Sequence, residues 1–235
     1  GDPDAKCESG KPNWNPNGDA HYWGVWQGVD SIAHFNKVKA RFFSEYGFQS
    51  FPEYQSVLKY APEERDHDIY SDVMMAHQRG GQIANSRIEN ITLEEYRKPK
   101  DFPSTLYMSI LLQGDAMKTA MEAHRRMMPY NMGSLFWQHN DCWPVASWSS
   151  RDYYGRWKAQ HYFTKKAFRD ILVSPIAEDG TLNYIRPFES REREIGYTRY
   201  GPEGHCFIFK EQQCHIACQY EQDSILCSGG KFAGR

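Results

Sequence analysis

The chain has 235 residues, 40% of them hydrophobic, which is enough for one barrel or one and a half ordinary domains. Its formal net charge is -2, which gives no reason to expect nucleic acid or an anionic membrane as a partner. No apolar run in the sequence is long enough to span a bilayer. Aromatic residues make up 15%, a composition that favours stacking on sugar rings as well as filling a core.

The first part of the chain predicts a loop, the end of a strand and a short helix. Residues 1–20 are rich in Pro, Gly, Asn and Asp, which predicts a loop. The aromatic segment His-Tyr-Trp-Gly-Val-Trp at residues 21–26 is compatible with the end of a strand. Asp30 and Ser31 are placed to cap a short helix from Ile32 to about Ala40.

Residues 41–52, Arg-Phe-Phe-Ser-Glu-Tyr-Gly-Phe-Gln-Ser-Phe-Pro, are the stretch around which the chain is organised. The aromatic run predicts a buried strand, which Glu45 interrupts, and Gly47 allows a turn or a close approach to a ligand. A strand that ends in a charged residue before a turn and a helix is typical of a barrel, whose catalytic groups lie at the C-terminal strand ends. The alternative is that Glu45 belongs to a buried ion pair, for example with Arg41.

Helical patterns follow at residues 52–60, 73–78, 85–96, 104–127 and 153–171. In the longest of these segments, large residues recur at steps of three and four and predict one buried face: Tyr107, Ile110, Gly114, Met117, Met121, His124 and Met128. The last segment predicts a buried side made of Tyr154, Trp157, Phe168 and Ile171.

Residues 132–141, Met-Gly-Ser-Leu-Phe-Trp-Gln-His-Asn-Asp, predict a second strand that becomes polar at its C-terminal end. We therefore expect Glu45 and Trp137 to lie at the same edge of a parallel sheet. Asn140 and Asp141 are candidates either for bonding sugar hydroxyls or for capping the following turn.

The C-terminal part of the chain has a different pattern. Residues 180–185 predict a strand of a new β domain, so we place the domains at 1–172 and 173–235 and expect 186–235 to be poorly packed. Four of the six cysteines lie there, with two histidines beside them, but their spacing matches no standard zinc finger. We expect no metal site from this set, which comprises Cys206, Cys214, Cys218, Cys227, His205 and His215, and no cofactor anywhere.

Several strings together resemble the β-mannosidases of glycoside hydrolase family 2. The likeness covers roughly residues 14–175, and Ser-Glu-Tyr-Gly-Phe-Gln-Ser and Leu-Phe-Trp-Gln-x-Asn-Asp-Cys-Trp-Pro are its most specific parts. The strings that carry the likeness are residues 21–26, 41–52, 77–79, 94–100, 133–150 and 153–163. The resemblance implies an α/β fold, the C-terminal part of a (β/α)8 TIM barrel followed by the start of a β-sandwich domain. It also implies hydrolysis of terminal non-reducing β-mannose with retention of configuration.

By this resemblance Glu45 is the nucleophile and Tyr22 is a candidate hydrogen-bond donor to it. Trp137 and Trp23 are expected to line the sugar pocket, and Asp141 is a further candidate for substrate binding. The alternative for each Trp and for Tyr22 is an ordinary buried aromatic residue. β-Mannosides and mannose-containing oligosaccharides are the expected partners, with no nucleic acid and no membrane.

The sequence also departs from the family pattern. In the family the acid/base Glu follows an Asn on an earlier strand, and no Asn-Glu pair occurs in this sequence. Because the acid/base Glu and the first half of the barrel have no counterpart in this sequence, we expect a partial sequence that is inactive alone. For the full protein, a secreted, periplasmic or lysosomal location is expected over a cytosolic one. Two other hypotheses remain: another family 2 β-glycosidase, acting on β-galactosides or β-glucuronides, and a non-catalytic sugar-binding fragment.

Overall fold

The structure is a computed structural model that describes residues 18–169, 172, 174–178, 181–185, 217–221 and 224–228. The chain divides into two compact units, residues 1–168 and 169–235. The predicted division after residue 172 stays a prediction. No helix in the described part of the chain combines the length and the apolar character that crossing a bilayer requires.

The first unit contains a small parallel sheet. The aromatic run contains the predicted strand, β2 (Phe42–Glu45), which pairs in parallel with β1 (Asp19–His21); β1 begins within the stretch that was predicted as a loop. Residues 132–137 run along the other side of β2: the Phe43 N–H donates to the Gly133 carbonyl at 2.9 Å, and the Leu135 N–H donates to the Phe43 carbonyl at 2.7 Å. The bridge between Phe43 and Ser134 is parallel, so three segments run in the same direction side by side.

Helices of very different length surround these segments. They are α1 (Tyr54–Val57), α2 (Asp72–Ala76), α3 (Ile83–Glu95), α4 (Phe102–Arg126) and α5 (Ala159–Ala167), with short 3-10 helices at Ile32–Asn36 and Glu64–Asp66. The predicted segments at 52–60 and 32–40 are therefore only partly helical. α4 is the central helix, because it packs against α5, α3, α1 and the first 3-10 helix.

α4 begins and ends where its sequence predicts. The Asp101 side chain caps it by accepting the Ser104 N–H at 2.8 Å, and basic residues occupy its last turn, where they favour the helix dipole. Its predicted buried face is confirmed at Ile110, Gly114, Met117, Met121 and His124. The prediction for Tyr107 was wrong: it is 61% exposed, and Leu106 is buried instead, because Tyr107 lies at the edge of the apolar stripe.

α5 is shorter than predicted. Residues 152–156 form a turn in which the Asp152 N–H donates to the Arg156 carbonyl at 2.9 Å, and Gly155 has a φ of 86°. Because this turn cannot continue into a helix, α5 starts only at Ala159. Trp157, which precedes α5, and Phe168, which follows its last residue, are exposed rather than buried, and Ile171 lies outside the described residues.

The core of the first unit is mainly aromatic and aliphatic. Most of its largest fully buried side chains come from β2, from the segment after it and from α4, and they include Phe43, Tyr46, Phe48, Phe51, Leu106, Leu112, Met117 and Met121. At about 25 cal/mol per Å² of apolar surface, each such side chain contributes roughly 1.5–3 kcal/mol to folding. Burial of this face fixes β2 against α4 and so fixes the position of Glu45.

The second unit contains two antiparallel hairpins. Strands β3 (Ser174–Glu178) and β4 (Thr181–Ile185) form one, which confirms the predicted strand at residues 181–185. Strands β5 (Ala217–Glu221) and β6 (Ser224–Ser228) form the other. Of the predicted Cys/His set, Cys218 and Cys227 lie on β5 and β6, and the other four residues lie outside the described residues, as does most of the stretch expected to be poorly packed.

Candidate active site

Glu45 is the last residue of β2, at the carboxyl end of the three parallel segments. Its side chain is 25% exposed, and its Oε2 lies 2.7 Å from Nδ1 of His21, which stands opposite it on β1. An ionised carboxylate only accepts hydrogen bonds, so the His21 ring donates from Nδ1. The predicted alternative partner, Arg41, instead lies over the ring of Tyr130 at 4.6 Å.

Asp19 and Ser44 extend this pair along the two strands. Oδ2 of Asp19 lies 3.8 Å from Nε2 of His21, and the same oxygen accepts a hydrogen bond from the Ser44 hydroxyl at 2.7 Å. The Ser44 N–H donates to the other Asp19 oxygen at 3.2 Å. The sequence interpretation did not assign a role to these three residues. Residues two positions apart on a strand share a face, and this spacing could have indicated that Asp19 and His21 lie together beside Glu45.

Tyr22 is placed differently from the prediction. Its hydroxyl donates to Asp30 Oδ2 at 2.7 Å, and its backbone N–H donates to the main-chain carbonyl of Glu45 at 2.8 Å. The expected hydrogen bond between the Tyr22 side chain and the Glu45 carboxylate was therefore wrong. Consecutive strand residues point to opposite faces, so His21 takes the position beside the carboxylate. Burial and the Asp30 contact raise the pKa of the Tyr22 hydroxyl.

Trp137 lies at the same edge of the parallel segments as Glu45. Its N–H donates to the carbonyl of Tyr46, the residue after Glu45, at 2.7 Å, which confirms the predicted placement. The Trp137 side chain is 43% exposed, and the Trp137–Gln138 peptide is cis. An aromatic face is thus available to a ligand one strand away from the carboxylate.

At Gly47 the chain that follows β2 passes close to the Trp137 backbone and to the rings of Trp23 and Trp148. A Cβ atom there would collide with the Trp137 carbonyl oxygen and would lie 3.0 Å from the Trp23 ring and 3.1 Å from the Trp148 ring. Trp23 and Trp148 meet edge to face, with ring centroids 6.1 Å apart. The contact with the Trp137 carbonyl therefore favours glycine at this position, because any other residue would force the backbone apart.

Asp141 is buried and holds the loop that follows Trp137. It accepts hydrogen bonds from the hydroxyls of Ser147 at 2.7 Å and Ser149 at 2.5 Å, and from the Gln138 amide at 3.3 Å. Asp141 was a candidate either for bonding sugar hydroxyls or for capping the following turn, and these contacts fit the second role.

Lys158 lies beneath the same loop and is fully buried. Its ammonium group donates to the Ser50 hydroxyl at 3.1 Å and lies 3.3 Å from the carbonyl oxygens of Ser50 and Ser147. Burial lowers the pKa of Lys158 to about 8, although Asp141 and Asp152 oppose the change. Lys158 therefore ties together the chain after β2, the 141–150 loop and the start of α5.

A second buried polar chain lies behind β2. The Tyr46 hydroxyl and the Ser134 hydroxyl are 2.7 Å apart, and Ser134 is 2.9 Å from Nδ1 of His124. The His124 ring stacks on Phe43 with centroids 3.8 Å apart. Burial lowers the pKa of His124 to about 3, with Arg126 adding to the effect, so this imidazole is neutral near pH 7.

The arrangement joins a carboxylate at a strand end to neighbouring aromatic faces and to a histidine that donates to it. Such a carboxylate can act as a nucleophile toward an electrophilic carbon, while the aromatic faces are suited to the apolar faces of a sugar ring. Within the described ranges, no three His, Cys, Asp or Glu side chains are placed to hold a metal ion.

Known proteins provide close comparisons for this part of the chain. A β-mannosidase from Bos taurus is 36% identical over 152 residues, which are 57% of this chain and 16% of the relative. A β-mannosidase from Capra hircus is 33% identical over 168 residues, 66% of this chain and 19% of the relative. The crystal structure of a β-D-mannosidase from Dictyoglomus thermophilum matches with a TM-score of 0.68 and 36% identity, covering 72% of this chain and 21% of that one.

No protein-family model matches the chain. The chain spans less than a quarter of the length of the curated relatives and the solved structure that it matches. These comparisons support an α/β glycosidase fragment as the fold of the matched region.

Proposed function

We propose that this chain, which is related over one segment to the β-mannosidases, carries the nucleophile of a retaining exo-β-mannosidase. The observation that carries the proposal is the position of the Glu45 carboxylate. It stands at the carboxyl end of a parallel strand, partly open, and a histidine donates a hydrogen bond to it. The relatives that share this segment are named β-mannosidases.

In the proposed reaction Glu45 attacks the anomeric carbon of a terminal β-mannose. One carboxylate oxygen bonds to C1 as the C1–O bond to the leaving group breaks, and the leaving oxygen takes a proton from a general acid. Water then attacks C1 of the mannosyl ester from the opposite face and gives its proton to the same acid/base group. Glu45 leaves as a carboxylate, and two inversions amount to retention of the β configuration.

The proposed sugar pocket is aromatic. Trp137, with its exposed face at the same sheet edge as Glu45, provides the floor, and Trp23 flanks it across Gly47. We keep Tyr22 as a candidate for this pocket because it directly follows His21 in the chain, although its hydroxyl donates to Asp30. Asp141 contributes by fixing the loop after Trp137, and direct bonding to sugar hydroxyls is not needed for this role.

The finer fold proposal is that these segments belong to the C-terminal part of a (β/α)8 barrel. Three parallel segments with polar carboxyl ends, and the long α4 between the second and the third, support it. The acid/base carboxyl should lie about 5 Å from the nucleophile in a retaining enzyme. Because the chain contains no Asn-Glu pair, we assign that group to a part of the protein outside these residues.

The proposal is tested by chemical rescue of Glu45→Ala in the full protein that contains this chain. With 2,4-dinitrophenyl β-mannoside, whose leaving group needs no protonation, the variant should lose hydrolysis by at least about a thousandfold. Added azide should restore turnover and yield α-mannosyl azide, because azide enters from the face that the carboxylate occupied.

Glu64→Ala provides the control, since it removes an exposed glutamate of the 3-10 helix Glu64–Asp66. This control should keep full activity and form no azide product. Unchanged hydrolysis by Glu45→Ala, or rescue that yields only the β-azide, would contradict the assignment of Glu45.

A further inference from the structure

We propose that His21 is a positioning residue for Glu45: it holds Oε2 of the carboxylate and leaves Oε1 as the atom that attacks the sugar. This inference rests on the proposed nucleophilic role of Glu45. It is carried by the 2.7 Å contact between His21 Nδ1 and Glu45 Oε2, and by the way in which the imidazole is itself held.

The His21 ring is fixed from both strands. His21 stands in register with Glu45, after a shift in the β1–β2 pairing between Ala20 and His21 that brings the two residues opposite each other. On the far side of the ring, Asp19 lies 3.8 Å from Nε2. Asp19 is in turn held by two hydrogen bonds from Ser44, the residue before Glu45. The contacts therefore run in a chain from Ser44 through Asp19 and His21 to Glu45 across the two strands.

This arrangement has a consequence for a carboxylate that must form an ester. A free carboxylate rotates between equivalent orientations, whereas one with Oε2 bound to His21 presents Oε1 in one direction. When the C1–Oε1 bond forms, Oε2 becomes the carbonyl oxygen of the ester and continues to accept the Nδ1–H bond. No proton moves in this step, so His21 acts by orientation and hydrogen bonding alone.

The competing explanation is an ordinary surface ion pair. Exposed ion pairs contribute little to stability, and His21 and Glu45 are 36% and 25% exposed. If the pair has no catalytic role, removal of the His21 N–H donor should leave the rate of ester formation unchanged, whichever side chain replaces His21. The two explanations therefore differ in kinetics rather than in stability.

The test uses His21→Leu and His21→Asn in the full protein that contains this chain. Leu removes the donor, whereas the Asn side-chain amide places an N–H near the position of Nδ1. The probe is 2,4-dinitrophenyl 2-deoxy-2-fluoro-β-mannoside, which accumulates the mannosyl ester. In His21→Leu the maximal inactivation rate should fall about 10- to 100-fold, the range expected for a hydrogen bond to a charged group.

The half-saturating concentration of the probe should stay unchanged in His21→Leu, because the proposed role of His21 is exerted through Glu45. His21→Asn should return the inactivation rate to within about threefold of the wild type. His67→Leu provides the control, since this histidine stacks on Phe102 outside the site. If His21→Leu does not fold, His21→Gln replaces it, because the Gln amide lies toward Nε2 and away from Glu45.

The outcomes separate this inference from the proposed function. If the wild type is labelled at Glu45 but His21→Leu reacts at the wild-type rate, the positioning role is wrong and the nucleophile assignment stands. The positioning role is equally wrong if His21→Asn is as slow as His21→Leu while its thermal unfolding midpoint matches the wild type. If the wild type is labelled at another carboxylate, the proposed function fails first, and this inference fails with it.

Discussion

Two histidines beside β2 have opposite surroundings and therefore opposite chemistry. His21 lies at the open end of the strand, where its ring stands between the carboxylates of Asp19 and Glu45 and donates a hydrogen bond to Glu45. His124 lies behind the strand, stacked on Phe43 and bonded to Ser134, where burial opposes a positive charge. Sequence position alone does not separate them, since burial and neighbouring charge determine the protonation of an imidazole.

The lowered pKa of His124 predicts a loss of stability in acid. Its pKa is about 3 in the folded state and 6.5 as the ordinary value, so the unfolded chain binds the proton first as the pH falls. The free energy of unfolding contributed by this residue is intact above pH 6.5 and is lost progressively down to about pH 3. Between pH 7 and pH 4.5 the loss should be roughly 3 kcal/mol.

This prediction is measured as the difference in urea unfolding between the wild type and His124→Asn at each pH. The variant should show less acid destabilisation than the wild type, because it has no imidazole to protonate. The matched control, His139→Asn, changes an exposed histidine. Equal acid sensitivity of the wild type and His124→Asn would show that another group governs the acid response.

At the scale of elements, the site depends on how closely β2 and the 132–137 segment approach each other. Gly47 lies in this approach, where the Trp137 carbonyl leaves no room for a Cβ atom. Gly47→Ala should therefore push the 132–137 segment away from Glu45, cost about 1–3 kcal/mol of stability and lower kcat/KM at least about tenfold. Kinetics with an aryl β-mannoside and thermal unfolding measure both effects.

Gly81→Asn is the control for this substitution. Gly81 has a φ of 78° and open space around it, and Asn tolerates left-handed backbone better than most residues. The control should keep nearly full activity. Wild-type kinetics in Gly47→Ala would mean that the close approach to Trp137 does not position the site.

The sequence predicted the elements that have a clear pattern. Strand β2 and the periodic helix α4 are found where expected, whereas residues 132–137 run beside β2 but form only an isolated bridge at Ser134 instead of the predicted strand. The sequence-based prediction failed where a local turn or the register of two strands determines which residues meet. The Gly155 turn delays α5, and the register of β1 puts His21 rather than Tyr22 beside Glu45. Such pairings depend on neighbours distant in sequence, which periodicity does not report.

The Lys158 network was not predicted for the same reason. Its partners Ser50 and Ser147 are separated from Lys158 by 108 and 11 positions, and nothing in the local pattern around Lys158 marks a buried cation. Lysine is rarely buried without partners, so the sequence favours an exposed position for it. The structure instead buries it where three segments meet beneath the Asp141 loop.

At the scale of the whole molecule, the described residues include the proposed nucleophile Glu45 but no group to which we assign the role of general acid. Retaining hydrolysis requires a second carboxyl group to protonate the leaving oxygen, and such general acid help is worth about 10²–10⁴-fold. The expectation that these 235 residues alone do not hydrolyse β-mannosides follows from this requirement and stays a prediction. The preference for β-mannosides is likewise a prediction for the full protein.

The most direct test of the central claim is to identify the residue that forms the mannosyl ester. The full protein containing this chain is inactivated with 2-deoxy-2-fluoro-β-mannosyl fluoride, digested with pepsin, and analysed by mass spectrometry. We predict a single 2-fluoromannosyl group on Glu45, in a peptide from residues 41–52. A label on any other carboxylate, or complete inactivation with no label in this peptide, would contradict the claim that Glu45 is the nucleophile.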